Sequence, residues 1–198
     1  YYVVAQDTVG NKSSVTSGSF TSNSLFDTDT TLTPSATLTE PINLPTTANT
    51  EAEAVSLFDF TLTDGGTSDG LATTVSQIIL HTSGTADFSK VAWLLNGASV
   101  SNVVGTYNST NNTLTFTGLN LGVADGASAT YTVLGYYTIT SGLINHQTYI
   151  LSLNGDSDLT VNTSGSQMSG SNSAVSNGSG SEVDVTATKL IFITEPSN

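Results

Sequence analysis

The stretch Ala129–Thr140, with the sequence ATYTVLGYYTIT, indicates most directly which kind of structure this chain forms. From Tyr131 to Ile139 successive residues alternate between two faces, and most of them are β-branched or aromatic. Such residues favour extended backbone, and a period of two places alternate side chains on opposite faces of a strand. Because both faces are partly apolar, the stretch predicts a central strand of a β-sandwich.

Further stretches share this composition and lie between turn-forming pairs such as Asp125-Gly126 and Asn154-Gly155. Those pairs tolerate positive φ, and several short strands at such spacing favour an all-β sandwich over alternating strands and helices. A parallel β-solenoid is the alternative, since Asn, Gly and Thr are abundant, although the chain has no fixed short repeat. The predicted strands are Tyr1–Asp7, Val55–Thr63, Thr74–Thr82, Lys90–Leu95, Thr113–Thr117, Ala129–Thr140, Gln147–Leu153 and Val183–Thr194.

The charge balance excludes several classes of partner. The 198 residues carry a net charge of −13, with 3 lysines and no arginine. Phosphate binding needs clustered cations, so nucleic acid is excluded as a partner, and an anionic membrane surface is disfavoured. No run approaches the roughly 18 apolar residues of a membrane helix, so no membrane insertion is expected. The acidic composition, the 62 Ser and Thr residues and the absence of Cys fit an extracellular, well-solvated surface.

Both ends of the chain carry a recognisable pattern. The opening from Val3 to Ser13 contains Ala-x-Asp-x-x-Gly-Asn at residues 5–11, and it resembles the last strand of bacterial immunoglobulin-like (Big-type) repeats. The close from Ala187 to Pro196 resembles the first strand of the same kind of module. Such modules occur in tandem in large secreted adhesins and surface fibre proteins.

The resemblance implies an immunoglobulin-like β-sandwich and a division of the chain into three parts. Residues 1–34 are expected to hold the terminal strand of one module and a Ser/Thr-rich linker. Residues 35–186 are expected to form the main sandwich, with a Ser/Gly-rich loop at 164–181 that is too poor in apolar side chains to fold alone. Residues 187–198 are expected to be the first strand of a following module.

A terminal strand without the rest of its module exposes unsatisfied N–H and C=O groups and invites pairing. Adjacent repeats of a longer chain or other copies of this chain would complete it head to tail, and repetition without closure builds a filament. The simpler alternative is that the ends cut across ordinary domains. The predicted function is therefore a non-catalytic structural unit at the cell surface. The residues expected in the linking strands are Tyr2, Val4, Asp7, Leu190 and Phe192.

No enzyme is predicted, because the sequence contains no pattern that is specific to catalysis. Only His81 and His146 are available as histidines, and the chain has no cysteine. A Ser, His and Asp set can be assembled from any chain this rich in serine and carries no information. Trp93 lies in an apolar strand and is expected in the core rather than on a sugar-binding surface.

Calcium is the cofactor that the sequence favours. Gly-rich loops with closely spaced aspartates can supply the roughly six to eight oxygen ligands that Ca²⁺ takes. No loop has the spacing of an EF-hand, and the alternative is that Asp-Gly and Asn-Gly pairs form turns without a metal. The candidate ligands lie in three pairs, Asp64 with Asp69, Asp156 with Asp158, and Asp27 with Asp29.

A binding module is the rival function, in which loops at one end of the sandwich recognise a glycan or a host protein, with or without Ca²⁺. Such a surface is expected to expose aromatic rings, which supply large contact areas. An exposed cluster of tyrosines would favour this function, and burial of all of them would remove its main support. The tyrosines concerned are Tyr107, Tyr131, Tyr136, Tyr137 and Tyr149.

A covalent cross-link is a further candidate, because some surface modules join a strand lysine to an asparagine. Lys189 and Asn11 are the residues that would form it. We favour the ordinary role for Lys189, a strand-edge charge that discourages aggregation. Intact mass spectrometry should therefore give the full mass of the chain, and a mass lower by one ammonia would indicate the cross-link.

Overall fold

The computed structural model describes residues 2–3, 8–9, 16–17, 27–35, 37–66 and 70–187. Regular structure in these residues consists of strands and two single turns of 3-10 helix, Glu51–Glu53 and Phe88–Lys90, which confirms the all-β class. No helix in these ranges is long and apolar enough to cross a membrane. The strands are β1 (Tyr2–Val3), β2 (Thr16–Ser17), β3 (Thr31–Pro34), β4 (Asn43–Pro45), β5 (Val55–Thr63), β6 (Thr73–Gly84), β7 (Val91–Gly97), β8 (Val100–Val104), β9 (Thr106–Asn108), β10 (Thr113–Val123), β11 (Ser128–Tyr137), β12 (Thr148–Leu153), β13 (Leu159–Val161), β14 (Val175–Ser176) and β15 (Ser181–Asp184).

One sheet has five strands in the order β3-β5-β11-β7-β8, and all of its pairs are antiparallel. Residues 129–137 of the stretch Ala129–Thr140 belong to β11, which lies in the middle of this sheet. Along it Tyr131, Val133, Gly135 and Tyr137 are buried, and the residues between them are half-buried. The alternation predicted from the sequence is therefore the alternation between core and outer face.

The second sheet has eight strands, with β4-β15-β12-β6-β10-β9 in order along it. Strands β12 and β13 pair one after the other with the same edge of β6, and the loop of residues 154–158 projects between them. The pair of β15 with β4 is parallel, whereas the other strand pairs in the described ranges are antiparallel. A parallel solenoid needs successive strands in parallel register, so that alternative is wrong.

The two sheets face each other across one apolar core, in a sandwich-like arrangement. Trp93 of the five-stranded sheet meets Tyr149 of the eight-stranded sheet edge to face, with ring centroids 5.6 Å apart. Phe88 stacks on Trp93 at 5.3 Å and also meets Tyr149 edge-on at 5.0 Å. The Trp93 indole N–H donates to the Phe88 carbonyl at 3.1 Å, so its polar atom is satisfied within the core.

Two segments that their composition marks as poorly structured contribute strands to the sandwich. Within the five-stranded sheet, pairing starts with β3, a few residues before the expected domain start at residue 35. The Ser/Gly-rich stretch 164–181 contains β14, and Asn177 within it is buried. The Asn177 side chain accepts a hydrogen bond from Leu151 N–H and donates to the Tyr149 carbonyl. Hydrogen bonds to the sheet thus fix a segment that has few apolar side chains.

The ends of β6 define two ends of the domain, which we call the Thr73 end and the Gly84 end. At the Thr73 end, the hydroxyl of Thr30, just before β3, lies 2.6 Å from that of Thr73. At the Gly84 end, Gly84 pairs with Tyr149, which pairs with Ser181 at the start of β15. Strand β15 runs antiparallel to β12 and therefore away from the Thr73 end. Among the described residues, the first strand of the two sheets begins at one end and the last strand ends at the other, about 35 Å away at roughly 3.3 Å per residue of β6.

We expect Gly97→Ala to destabilise the fold, because Gly97 of β7 lies against the ring of Tyr131 in β11. A Cβ at Gly97 would stand 2.2 Å from the Tyr131 Cδ1 atom. That ring is fully buried, so the overpacking should cost about 1–3 kcal/mol of unfolding free energy. Gly122→Ala is the matched control, since its strand position has no atom within 4 Å of the added Cβ. Equal urea midpoints for the two variants would contradict the packing described.

Candidate functional site

Three carboxylates gather at the Thr73 end of the domain. Asp27 and Asp29 precede β3, and Asp64 follows β5. Each residue contributes one carboxylate oxygen to a group in which all three oxygens lie within 4.8 Å of one another. The pairing of β3 with β5 produces this proximity, because it places the start of β3 beside the end of β5.

Hydrogen bonds hold Asp64 in place between the two sheets. Its Oδ2 accepts from the backbone N–H and the hydroxyl of Thr73, at 2.7 and 2.8 Å. Since the single hydroxyl proton of Thr73 goes to Asp64, the Thr30 hydroxyl must be the donor in its 2.6 Å contact with Thr73. The backbone N–H of Asp64 donates to the Ala127 carbonyl at 3.0 Å. The carboxylate position is therefore set by β6, by the start of β3 and by the turn before β11.

Backbone hydrogen bonds also fix the segment that carries Asp27 and Asp29. The Asp27 carbonyl accepts from Gln167 N–H at 2.9 Å, and Thr30 N–H donates to the Gln167 carbonyl at 3.1 Å. Ser169 N–H donates to the Thr30 carbonyl at 2.9 Å. The Ser/Gly-rich stretch thus supplies the wall against which the segment 27–30 lies.

The electrostatics of this group favour a positive charge. Asp64 is 0% exposed, and its Oδ1 atom accepts no hydrogen bond from any described group. Burial, then the neighbouring carboxyl of Asp27 and the charge of Asp64, raise the pKa of Asp29 to about 6. The described ranges contain one lysine, Lys90, which donates to the carbonyls of Ser141 and Gly142 near the Gly84 end. No described side-chain cation therefore neutralises the three carboxylates.

Two glycines let the loop after β5 approach these carboxylates closely. A Cβ on Gly66 would stand 2.6 Å from the Asp29 Oδ2 atom and 3.2 Å from the Asp27 Oδ2 atom. A Cβ on Gly65 would stand 3.2 Å from the Asp29 carbonyl oxygen. Gly66 has a φ of +64°, which an L side chain rarely adopts. The loop after β5 therefore passes close to two carboxylates and one carbonyl oxygen.

Asp156 and Asp158, two of the other predicted metal ligands, do not belong to this group. Asp156 accepts from the backbone and side-chain amides of Asn172, at 2.8 and 2.6 Å. Asp158 accepts from Asn154 N–H at 2.8 Å and lies 3.2 Å from His81 Nε2. Both of these carboxylates thus accept hydrogen bonds from protein groups. Asp69 lies outside the described residues.

Most of the predicted linking and cross-linking residues also lie outside the described ranges. Tyr2 belongs to β1, where it pairs with Ser17 of β2. The roles assigned to all of these residues stay predictions. The residues that lie outside the described part of the chain are Val4, Asp7, Asn11, Lys189, Leu190 and Phe192.

The tyrosines that a binding surface would need point largely into the fold. Tyr131, Tyr137 and Tyr149 are buried, and Tyr107 and Tyr136 are half-buried. Tyr107 stacks on Phe88 at 5.4 Å, so it extends the core cluster. These five residues therefore form no exposed aromatic cluster.

Comparisons with known proteins add little to this description. No protein-family model matches the chain, and no curated protein matches it. A solved structure of AvmM, described as catalysing macrocyclization in alchivemycin A biosynthesis, aligns with 82% of this chain and 91% of its own. The sequence identity is 7% and the TM-score is 0.37, a likeness that carries no argument about fold or function.

Thr73→Val should weaken the fold by about 1–3 kcal/mol, because it leaves the buried carboxylate of Asp64 with one donor fewer. The substitution keeps the shape of the side chain and removes only the hydroxyl. Thr82→Val is the matched control, since Thr82 is 7% exposed on the same strand and has no comparable network among the described residues. Chemical denaturation followed by Trp93 fluorescence measures both variants. Equal losses of unfolding free energy in the two variants would show that the Thr73 hydroxyl has no special role.

Proposed function

We propose that this chain is a non-catalytic structural unit of an extracellular bacterial surface filament or adhesin. In this proposal the sandwich is of the immunoglobulin-like kind, and terminal β-strands join successive units head to tail. The observation that carries the proposal is the placement of the two connections, since among the described residues the first strand of the two sheets begins at the Thr73 end and the last strand ends at the Gly84 end. Units connected in this way extend along a line rather than folding back on one another.

The outer face of the five-stranded sheet supports a role as a solvated structural surface. Thr61 and Thr130 lie across β5 and β11 with their hydroxyls 2.9 Å apart, and Thr63 and Ser128 form a second such contact at 2.7 Å. Cross-strand hydroxyl pairs of this kind stabilise a sheet while keeping its face polar. A polar face resists unspecific association between fibres.

The joining mechanism would be strand complementation. A terminal strand from one unit adds to a sheet of the next, and main-chain hydrogen bonds supply most of the affinity. Alternating side chains of the added strand are buried at the same time, with Tyr2 and Val4 at one end and Leu190 and Phe192 at the other as the candidates. The same mechanism serves separate subunits and tandem repeats of one long chain.

The rival proposal, recognition of a glycan or a host protein, has less support. It calls for rings that are open to solvent at the surface. The five tyrosines considered for that role are buried or half-buried. We therefore place the structural function first.

Disruption of the linking strands tests the proposal. Val4→Asp and Phe192→Asp should each reduce assembly into filaments roughly tenfold or more, because a carboxylate would be buried in the joint. Val104→Asp is the matched control, since Val104 is 69% exposed on β8 and should leave assembly unchanged. Light scattering and electron microscopy measure the assemblies, and the melting temperature checks that each variant folds.

The mass of the native polypeptide after full denaturation separates the two forms of the proposal. A mass near 20.3 kDa indicates separate subunits, and a mass many times larger indicates covalently linked repeats. A native polypeptide near 20.3 kDa that stays monomeric throughout the assembly assay would contradict the proposal altogether.

A further inference from the structure

We propose that Asp27, Asp29 and Asp64 together form one Ca²⁺ site at the Thr73 end of the domain. The inference goes beyond the structural function proposed above and does not depend on it. It also differs from the sequence-based pairs, because it joins two aspartates that precede β3 to one that follows β5.

The buried carboxylate of Asp64 is the observation that points to a ligand. An ionised carboxylate that is removed from water is costly unless its oxygens are hydrogen-bonded or coordinate a metal. Thr73 satisfies Oδ2, while Oδ1 accepts no hydrogen bond from a described group. The Asp64 carboxylate lies beside two more carboxylates, so the surroundings supply further negative charge rather than compensation. A bound cation coordinates the Oδ1 atom of Asp64 and offsets the repulsion among the three carboxylates.

The donors identify the class of cation. Three carboxylates and the nearby carbonyl oxygen of Asp29 are hard oxygen ligands, and the chain contains no cysteine that would favour a soft metal. Ca²⁺ accepts carboxylate and carbonyl oxygens in irregular geometry, with water completing the shell. Mg²⁺ demands near-ideal octahedral geometry and gives up its water reluctantly. A loop-built set of ligands therefore favours Ca²⁺.

Gly66 lets the loop after β5 approach the proposed ligands closely. A Cβ at this position would crowd the Oδ2 atoms of Asp27 and Asp29. A methyl group there should therefore displace these two carboxylates from the ion without removing any charge. The bound ion would connect the segment before β3 to the end of β5. It would therefore stabilise the pairing of these two strands.

Calorimetric titration of the full 198-residue chain with CaCl₂ tests the site directly. We expect one Ca²⁺ per chain and weaker binding of Mg²⁺. At calcium a hundredfold above its dissociation constant, the melting temperature should rise by about 5–10 °C. Asp27→Asn and Asp29→Asn should each lower the affinity at least tenfold. Asp184→Asn, which removes one charge at the Gly84 end, is the matched control and should bind like the parent chain.

The direction of the stability change separates a metal site from a merely structural cluster. In EGTA, Asp29→Asn should melt at the same temperature as the parent chain or higher, because the substitution relieves repulsion among three carboxylates. In saturating calcium the same variant should melt lower than the parent chain. A cluster that serves only as hydrogen-bond acceptors would lose stability in both conditions.

A pair of glycine variants tests the site without altering charge. Gly66→Ala and Gly70→Ala impose similar backbone strain, since φ is +64° at the first and +69° at the second. The added Cβ at Gly70 meets no atom within 4 Å, so only Gly66→Ala should lower the calcium affinity, again at least tenfold. The proposal is overturned if the parent chain does not bind Ca²⁺, if it binds Mg²⁺ equally well, or if the aspartate variants bind Ca²⁺ as the parent does.

Discussion

The hydrogen bonds from Thr73 to the buried carboxylate of Asp64 join the two sheets at one end of the domain. Asp64 directly follows a strand of the five-stranded sheet, and Thr73 begins the longest strand of the other. Each sheet has one apolar face that must be hidden, but apolar contact alone leaves the sheets free to slide. A directional contact to a charged group fixes their relative position. The Thr30 hydroxyl extends the same network to the segment just before β3. One set of hydrogen bonds therefore positions the start of β3, the two sheets and the carboxylate of Asp64.

The sequence predicts the long central strands of this fold well, but it misses short strands such as β3, β4 and β8 and does not reveal which side chains meet. Val55–Thr63 is a strand with the predicted bounds, because its composition and the Asp-Gly-Gly turn after it act locally. The neighbours of Asp64 depend instead on the register of β3 against β5, which no local pattern encodes. Sequence proximity suggested Asp69, which lies outside the described residues, and it did not reveal that strand pairing brings Asp27 and Asp29 beside Asp64. The run Asp64-Gly65-Gly66 directly after a strand was the available signal that a carboxylate would lie beside a Gly-rich loop.

The Ser/Gly-rich stretch shows a second limit of composition. Its low apolar content predicts that it cannot fold alone, yet it contributes buried residues to the interior. Asn177 bonds to the backbone of β12, and the Ser181 hydroxyl donates to the Leu57 carbonyl at 3.0 Å. Hydrogen bonds to strand backbone thus take the place of apolar burial. Such bonds depend on partners distant in the chain, so composition counts alone do not reveal them.

The opposite placement of the two chain connections has a mechanical consequence. A pull between residues 27 and 187 would act along β3 at one end and along β15 at the other, parallel to both strands. The hydrogen bonds of a sheet lie across its strands, so such a load stretches all the bonds of a strand pair together. Strands loaded in this shearing direction must yield as a group, whereas strands that are peeled from one end release their bonds one after another. The domain is therefore oriented to resist extension along its own long axis.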